Sequence, residues 1–249
     1  MKKQTITIIG NGNIANLFGK RFVDVGIEIN SISSRNEQEG NHLAKKLNTK
    51  FEKLNQITSD IIFVCVSDDA ISSICNNIPK EKTIIYSSGI IHLNEIKQEN
   101  AGVFYPLQTI SKNSLNAATK FPVLIESKTT ELTNFLKTLA EKITTKVKYV
   151  TSEERIKIHL AATFINNFSN HLIFLGLQYA KDQHIDESIF NDLIQETFNK
   201  LNFTSAYDAQ TGPSKRNDIR TIQKHLDLLP ENLKSIYLKV SENISKTYN

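Results

Sequence analysis

The chain has 249 residues, 39% hydrophobic and 22% charged, with a formal net charge of +4. That length suits one large domain or two smaller ones, with a core that needs neither disulfides nor structural metal. The basic residues are dispersed in pairs such as Lys2-Lys3, Lys45-Lys46 and Lys215-Arg216, so the concentrated basic face of a nucleic-acid binder is not expected.

Two cysteines, Cys65 and Cys75, form no C-x-x-C pair. Structural zinc and thioredoxin-like redox chemistry are therefore not expected, no metal site is expected, and a reducing cytoplasm is the expected location. A strand pattern begins almost at the N-terminus, so no signal peptide is expected. No stretch has the roughly 18 uninterrupted apolar residues of a membrane span.

The periodicity predicts strands over Thr5–Ile9 and Ile27–Ser33, each followed by a helix, Ile14–Val25 and Glu37–Leu47. Further strands are expected at Ile61–Val66, Thr83–Tyr86, Val103–Phe104, Val123–Glu126 and Lys146–Val150. Strand–helix alternation predicts an α/β class with a parallel, doubly wound Rossmann-type sheet. The strand signal then stops. A long helix is expected over Ser152–Ala180, with others at Asp186–Leu201, Asn217–Leu228 and Asn232–Ile244. The predicted organisation is a dinucleotide-binding domain over 1–150 and an all-helical domain for substrate and dimerisation over 151–249.

The first strand runs into Gly10-Asn11-Gly12-Asn13-Ile14-Ala15, and a helix follows. This is the G-x-G-x-x-G/A dinucleotide fingerprint in its required context. Gly10 allows the tight turn, Gly12 the approach of a pyrophosphate, and Ala15 close packing of helix on strand. The helix N-terminus then offers free N–H groups to the phosphates.

The second strand ends in Ser33-Ser34-Arg35, where an acidic residue would favour NAD. Arginine can fork onto a 2′-phosphate, so NADP is the expected cofactor; a solvated helix-start arginine is the plainer alternative. The same residues count against S-adenosylmethionine. Two later strand ends, Val66-Ser67-Asp68 and Ser88-Gly89, are expected beside the nicotinamide ribose. Asp68 reads equally as a helix N-cap.

On the helix from Ser152, residues Arg155, His159, Thr163, Asn166 and Asn170 share one arc at about 100° per residue. Most of the remaining positions are apolar. A helix apolar nearly all round is expected to be buried. The polar arc would then line a cleft or join a buried network. His159 is the expected general acid or a satisfied interface histidine, with Asn166 orienting substrate. Tyr105-Pro106-Leu107-Gln108-Thr109 follows a strand and offers Tyr105 as a second proton donor. Gln108, Thr109, Arg155, Thr163, Asn167 and Asn170 are candidate substrate contacts. Thr211-Gly212-Pro213-Ser214-Lys215-Arg216 precedes a helix and reads as an anion site through Thr211, Gly212 and Arg216, or as a capped helix with solvated cations.

Taken together, these motifs resemble the Rossmann-like proteins whose C-terminal region is the domain of unknown function 2520. Those proteins are relatives of pyrroline-5-carboxylate reductase and of the 6-phosphogluconate dehydrogenase-like oxidoreductases. The resemblance rests on the fingerprint, Ser88-Gly89, Tyr105 to Thr109, Glu154-Arg155 with His159 to Thr163, Asn166 to Phe168, Asn170 to Leu172, and Thr211 to Pro213. It implies NADP-dependent oxidoreduction and a dimerising helical domain. The chain departs from the family pattern at Tyr105, where histidine is common, and at Asn217, where glycine is usual. It also lacks the helix lysine of the related hydroxyacid dehydrogenases. The function expected is hydride transfer between NADPH and a small C=N or C=O substrate bound between the domains. The alternatives are a non-catalytic NADP-binding sensor and a structural dimer with a vestigial nucleotide pocket.

Overall fold

A computed structural model describes residues 5–111 and 121–249. The Lys2-Lys3 pair lies outside them. Two compact units emerge, Met1–Asn170 and His171–Asn249.

The first unit is built on one sheet. Its strands are β1 (Ile6–Ile9), β2 (Ile29–Ser33), β3 (Lys50–Phe51), β4 (Ile61–Val64), β5 (Thr83–Tyr86), β6 (Ala101–Pro106), β7 (Val123–Ser127) and β8 (Val147–Tyr149). The order is β3-β2-β1-β4-β5-β6-β7-β8. Pairing is parallel from β3 across to β6, as the alternation of strand and helix predicts. It then reverses, because β7 pairs antiparallel with β6, with Phe104 opposite Ile125. β8 again runs parallel to β7. The sheet is thus mostly parallel, as expected, with one antiparallel pairing toward its far edge.

The helices of this unit are α1 (Asn13–Asp24), α2 (Glu37–Lys46), α3 (Asp68–Asn76), α4 (Thr130–Ile143) and α5 (Ser152–Ala162). α1 presents Ala15, Leu17, Phe18 and Phe22 to the sheet, all buried. Phe18 and Phe22 meet Phe63 of β4 and Phe104 of β6, with ring centroids 5.1–6.1 Å apart in tilted and edge-on pairs. Aromatic pairs in such geometries add about 0.5–1.5 kcal/mol each beyond the area they bury. The cluster therefore pins α1 across the strands whose ends carry the site.

α5 begins at a capping box. The Thr151 hydroxyl accepts from the Glu154 N–H at 3.2 Å, and the Glu154 carboxylate accepts from the Thr151 N–H at 2.8 Å. The cap lies one residue before the Ser152 start that the sequence suggests. The expected single helix Ser152–Ala180 is interrupted: a π-helical stretch, Thr163–Phe168, separates α5 from α6 (Ser169–Asp182). A π turn holds an extra residue, so side chains beyond it lose the angular phase they had before it. One polar arc consequently does not run from Arg155 to Asn170.

The second unit continues α6 and adds α7 (Asn191–Asn199), α8 (Ile219–Leu228) and α9 (Glu231–Tyr248). Within it, only Ala180, Ser214 and Ser241 are buried. The expectation that the apolar helix around residues 155–172 is buried is overturned. Leu160 is 58% exposed, Phe164 60% and Ile165 73%, whereas Arg155 is fully buried. Among the described residues, no helix is long and apolar enough to cross a membrane.

Candidate functional site

The strand order reverses between β1 and β4, and at such a switch point the loops beyond the strand ends diverge and leave a crevice. Here that crevice is a cavity of about 1180 Å³. Small-molecule sites commonly measure about 300–1,000 Å³. Its walls include Gly10, Asn11, Gly12, Asn13 and Ile14 after β1, Ser33, Ser34 and Arg35 after β2, and Val66 and Ser67 after β4. Tyr105 and Gln108 close it from the β6 side.

The glycine loop is shaped as the fingerprint requires. Gly10 has φ +126°, and a Cβ there would stand 2.1 Å from the Cys65 carbonyl oxygen. A Cβ on Gly12 would meet nothing within 4 Å, so that backbone is open to the cavity. Gly12 is also the N-cap of α1 and provides no side-chain cap, and the first turn of α1 carries no acidic residue. The leading N–H groups of α1 are thus left for an anion. Ala15 is fully buried against the sheet and packs rather than lines. The Asn13 amide donates to the Ile110 carbonyl at 2.9 Å, which ties the loop after β6 to the fingerprint. The Asn11 amide donates to Glu39, a carboxylate on the cavity wall. A dinucleotide fits this cradle: the turn excludes side chains where a pyrophosphate must approach, and uncapped donors face the place it would occupy.

Tyr105, on the β6 wall of the cavity, meets the ring of His159 on α5. The Tyr105 hydroxyl and His159 Nδ1 are 2.9 Å apart. Tyr105 is half-buried, and burial pushes its hydroxyl pKa up, aided by the Asp68 carboxylate and opposed by the Arg155 guanidinium. The phenol is therefore held protonated through neutral pH. Gly89 explains how His159 comes so close, because a Cβ there would lie 2.5 Å from His159 Nδ1.

Several expected site residues serve the scaffold instead. Arg155, expected on substrate, is fully buried. Its Nη1 donates to the Ser88 carbonyl at 2.8 Å, and its Nη2 to the Ile91 carbonyl at 2.7 Å and to Glu126 at 3.2 Å. Ser88 and Gly89, expected beside the nicotinamide, are buried under α5. The Ser88 hydroxyl accepts from the N–H groups of Ile90 and Ile91. Asp68 opens α3, but the N-cap position belongs to Ser67, so Asp68 is neither cap nor cavity wall. It acts on the site through its charge beside Tyr105. The Thr163 hydroxyl donates back to the His159 carbonyl at 3.1 Å. Asn166, Asn167 and Asn170 are exposed on and just after the π stretch, and Thr109 is exposed beside Gln108.

The expected anion site at Thr211, Gly212 and Arg216 lies just before α8. Asp218 caps α8, accepting from the Thr221 N–H at 3.0 Å and the Thr221 hydroxyl at 2.7 Å. That carboxylate already supplies the negative charge an anion would bring. Lys215 donates to the Gln210 carbonyl at 2.9 Å and lies over the Tyr248 ring. Thr211 borders a separate, mostly apolar cavity of the second unit.

Sequence reading missed Glu37, Glu39, Lys53, Ala70 and Ile74, all on the main cavity wall. Lys53 follows a two-residue strand, too short for any periodicity to reveal.

Two family models match the chain. Residues 5–87 match NADP oxidoreductase, coenzyme F420-dependent, and residues 121–244 match the domain of unknown function 2520. No curated protein matches. Among solved structures, the NADP-oxidoreductase candidate BF3122 from Bacteroides fragilis is 29% identical, covers 98% of both chains and superposes with a TM-score of 0.89. Protein TM1727 from Thermotoga maritima is 19% identical over 97% of this chain and 98% of its own, with a TM-score of 0.82. An imine reductase from Myxococcus stipitatus in complex with NADP+ shares the fold at 15% identity, 97% and 92% coverage and a TM-score of 0.68. The chain accordingly carries the domain of unknown function 2520 over residues 121–244, behind an N-terminal part that matches the NADP oxidoreductase model.

Proposed function

We propose that this protein is an NADP-dependent oxidoreductase acting on a small C=N or C=O substrate. The observation that carries the reading is the meeting of two features in one unit. The fingerprint loop and Tyr105 line the same crevice, and the Tyr105 hydroxyl lies 2.9 Å from His159 Nδ1 behind it. In this reading residues 1–150 hold the cofactor and residues 151–249 provide the helical substrate and dimerisation region.

Gly10, Gly12 and the first turn of α1 receive the pyrophosphate, and Ser33, Ser34 and Arg35 receive the adenosine ribose with its 2′-phosphate. When bound, the dihydronicotinamide supplies a hydride. Tyr105 donates the proton that the reduced nitrogen or oxygen needs, because burial keeps its hydroxyl protonated. His159 returns a proton to Tyr105 across their hydrogen bond. Arg155 keeps the Ser88–Gly89 turn beneath His159 and acts by positioning alone.

A homodimer belongs to the same reading. Leu160, Phe164, Ile165 and Phe168 are 49–73% exposed along one helical run, an apolar surface that a monomer would leave in water. Both cysteines are free and buried, in keeping with the reducing cytoplasm.

The test is a paired titration with NADPH and NADH followed by nicotinamide fluorescence, and then a screen of cyclic imines and ketoacids. Tyr105→Phe is expected to lower kcat roughly 10²–10⁴-fold, the usual contribution of a general acid, while Kd for NADPH stays unchanged. Tight NADPH binding without turnover of any imine or carbonyl would turn the reading toward a sensor. Binding of neither cofactor would sink it.

A further inference from the structure

The cavity end beyond β2 holds more charge than Arg35. β2 and β3 are parallel, with Ser31 beside Lys50 and Ile32 beside Phe51. The Glu52 N–H continues the ladder by donating to the Ile32 carbonyl at 2.9 Å. Carried one step further, this register brings Lys53 abreast of Ser34. Lys53 and Leu54 line the same cavity as Ser33, Ser34 and Arg35. Lys53 Nζ is paired with Glu37 Oε1 at 3.0 Å, and the two side chains are 60% and 57% exposed. Glu37 opens α2 and is itself on the cavity wall.

An ion pair this exposed is weak, with a typical worth of about 0–1 kcal/mol. Lys53 is therefore held near the end of β2 by a carboxylate it can release at small cost. A dianionic phosphomonoester carries more charge than Glu37 and offers three acceptor oxygens. A ribose hydroxyl carries no charge and cannot displace a carboxylate from a lysine.

We propose that Lys53 is a second cation of the 2′-phosphate subsite and that Glu37 is its resident counter-ion, displaced when a phosphorylated ribose binds. The proposal rests on the reading that the cavity takes NADPH. It adds a specificity device: Arg35 and Lys53 attract the phosphate from two strand ends, while Glu37 sets the threshold a ligand must exceed.

The experiment measures Kd for NADPH and NADH on the wild type and on Lys53→Gln, Glu37→Gln and Arg35→Gln. Adenosine 2′,5′-bisphosphate and adenosine 5′-monophosphate serve as a matched pair that differs only in the 2′-phosphate. Lys53→Gln is expected to weaken NADPH and the bisphosphate about tenfold, the loss of one charge-assisted contact, with NADH and the monophosphate unmoved. Glu37→Gln is expected to tighten NADPH about threefold, a fraction of one exposed ion pair. If Arg35→Gln abolishes the NADPH preference and Lys53→Gln leaves it intact, the role of Lys53 is overturned while the cofactor reading stands. If Lys53→Gln weakens NADPH and NADH equally, Lys53 does not read the 2′-phosphate and the proposal fails. A wild type that binds both cofactors alike overturns the subsite itself. All three positions are exposed, so the variants retain the buried core.

Discussion

Single side chains here divide between those that face the crevice and those that hold the loops in place. Gly10 does both. A methyl group there would collide with the Cys65 carbonyl at 2.1 Å, and φ +126° suits only glycine. Gly10→Ala is expected to lose NADPH binding in the fluorescence titration and to unfold at lower urea, since both the clash and the torsion must be relieved. Arg155 is among the largest fully buried side chains of the described residues. Arg155→Met would strand Glu126 and the Ser88 and Ile91 carbonyls, for which a loss of about 3–5 kcal/mol is expected in urea unfolding. Cys75 gives a pH signature. Burial raises its thiol pKa from 9.0 to about 12. Between those values the unfolded chain ionises while the folded chain does not, so stability is whole below pH 9 and falls as pH rises toward 12. Cys75→Ala should flatten the alkaline decline of Tm. An unaltered slope would show that the buried thiol contributes nothing to it.

Among the elements, α5 links the buried scaffold of the site to an exposed apolar run. It brings Arg155 to the turn after β5 and His159 to Tyr105 of β6, and its C-terminus passes into a π stretch with exposed apolar residues. The capping box fixes where it starts. Thr151→Ala should cost about 1 kcal/mol, within the usual 0.5–2 for a lost N-cap, read as a shift in the urea midpoint. The helix start was legible to within one residue, because a hydroxyl followed three positions later by glutamate is a local signal. The π stretch was not legible, and a wheel drawn at constant pitch therefore put Asn166 on the arc of Arg155. The antiparallel pairing of β7 with β6 was likewise hidden, because strand periodicity carries no information about strand direction.

For the whole molecule, the notable asymmetry is burial. The first unit has a dense aromatic and aliphatic core, whereas the second buries three residues. In the proposed homodimer, a second copy of the chain covers the exposed Phe164 and Ile165. Phe164→Asp with Ile165→Asp is expected to halve the mass seen by light scattering. A wild type already monomeric at micromolar concentration would refute the homodimer.

The sequence by itself determined the α/β class, the glycine loop and its strand–helix setting, and the helical C-terminal half. These depend on local patterns: period-two and 3.6-residue hydrophobicity, and glycine where backbone must turn. Tertiary structure decided which polar residues meet. Tyr105 and His159 come from elements 54 positions apart, and Lys53 shares a cavity wall with Ser34 because β2 and β3 run parallel. Arg155 and Ser88 looked like ligand contacts in the sequence, yet the fold buries them against each other. Solvent exposure and partner identity are properties of the packed chain, which no local pattern encodes.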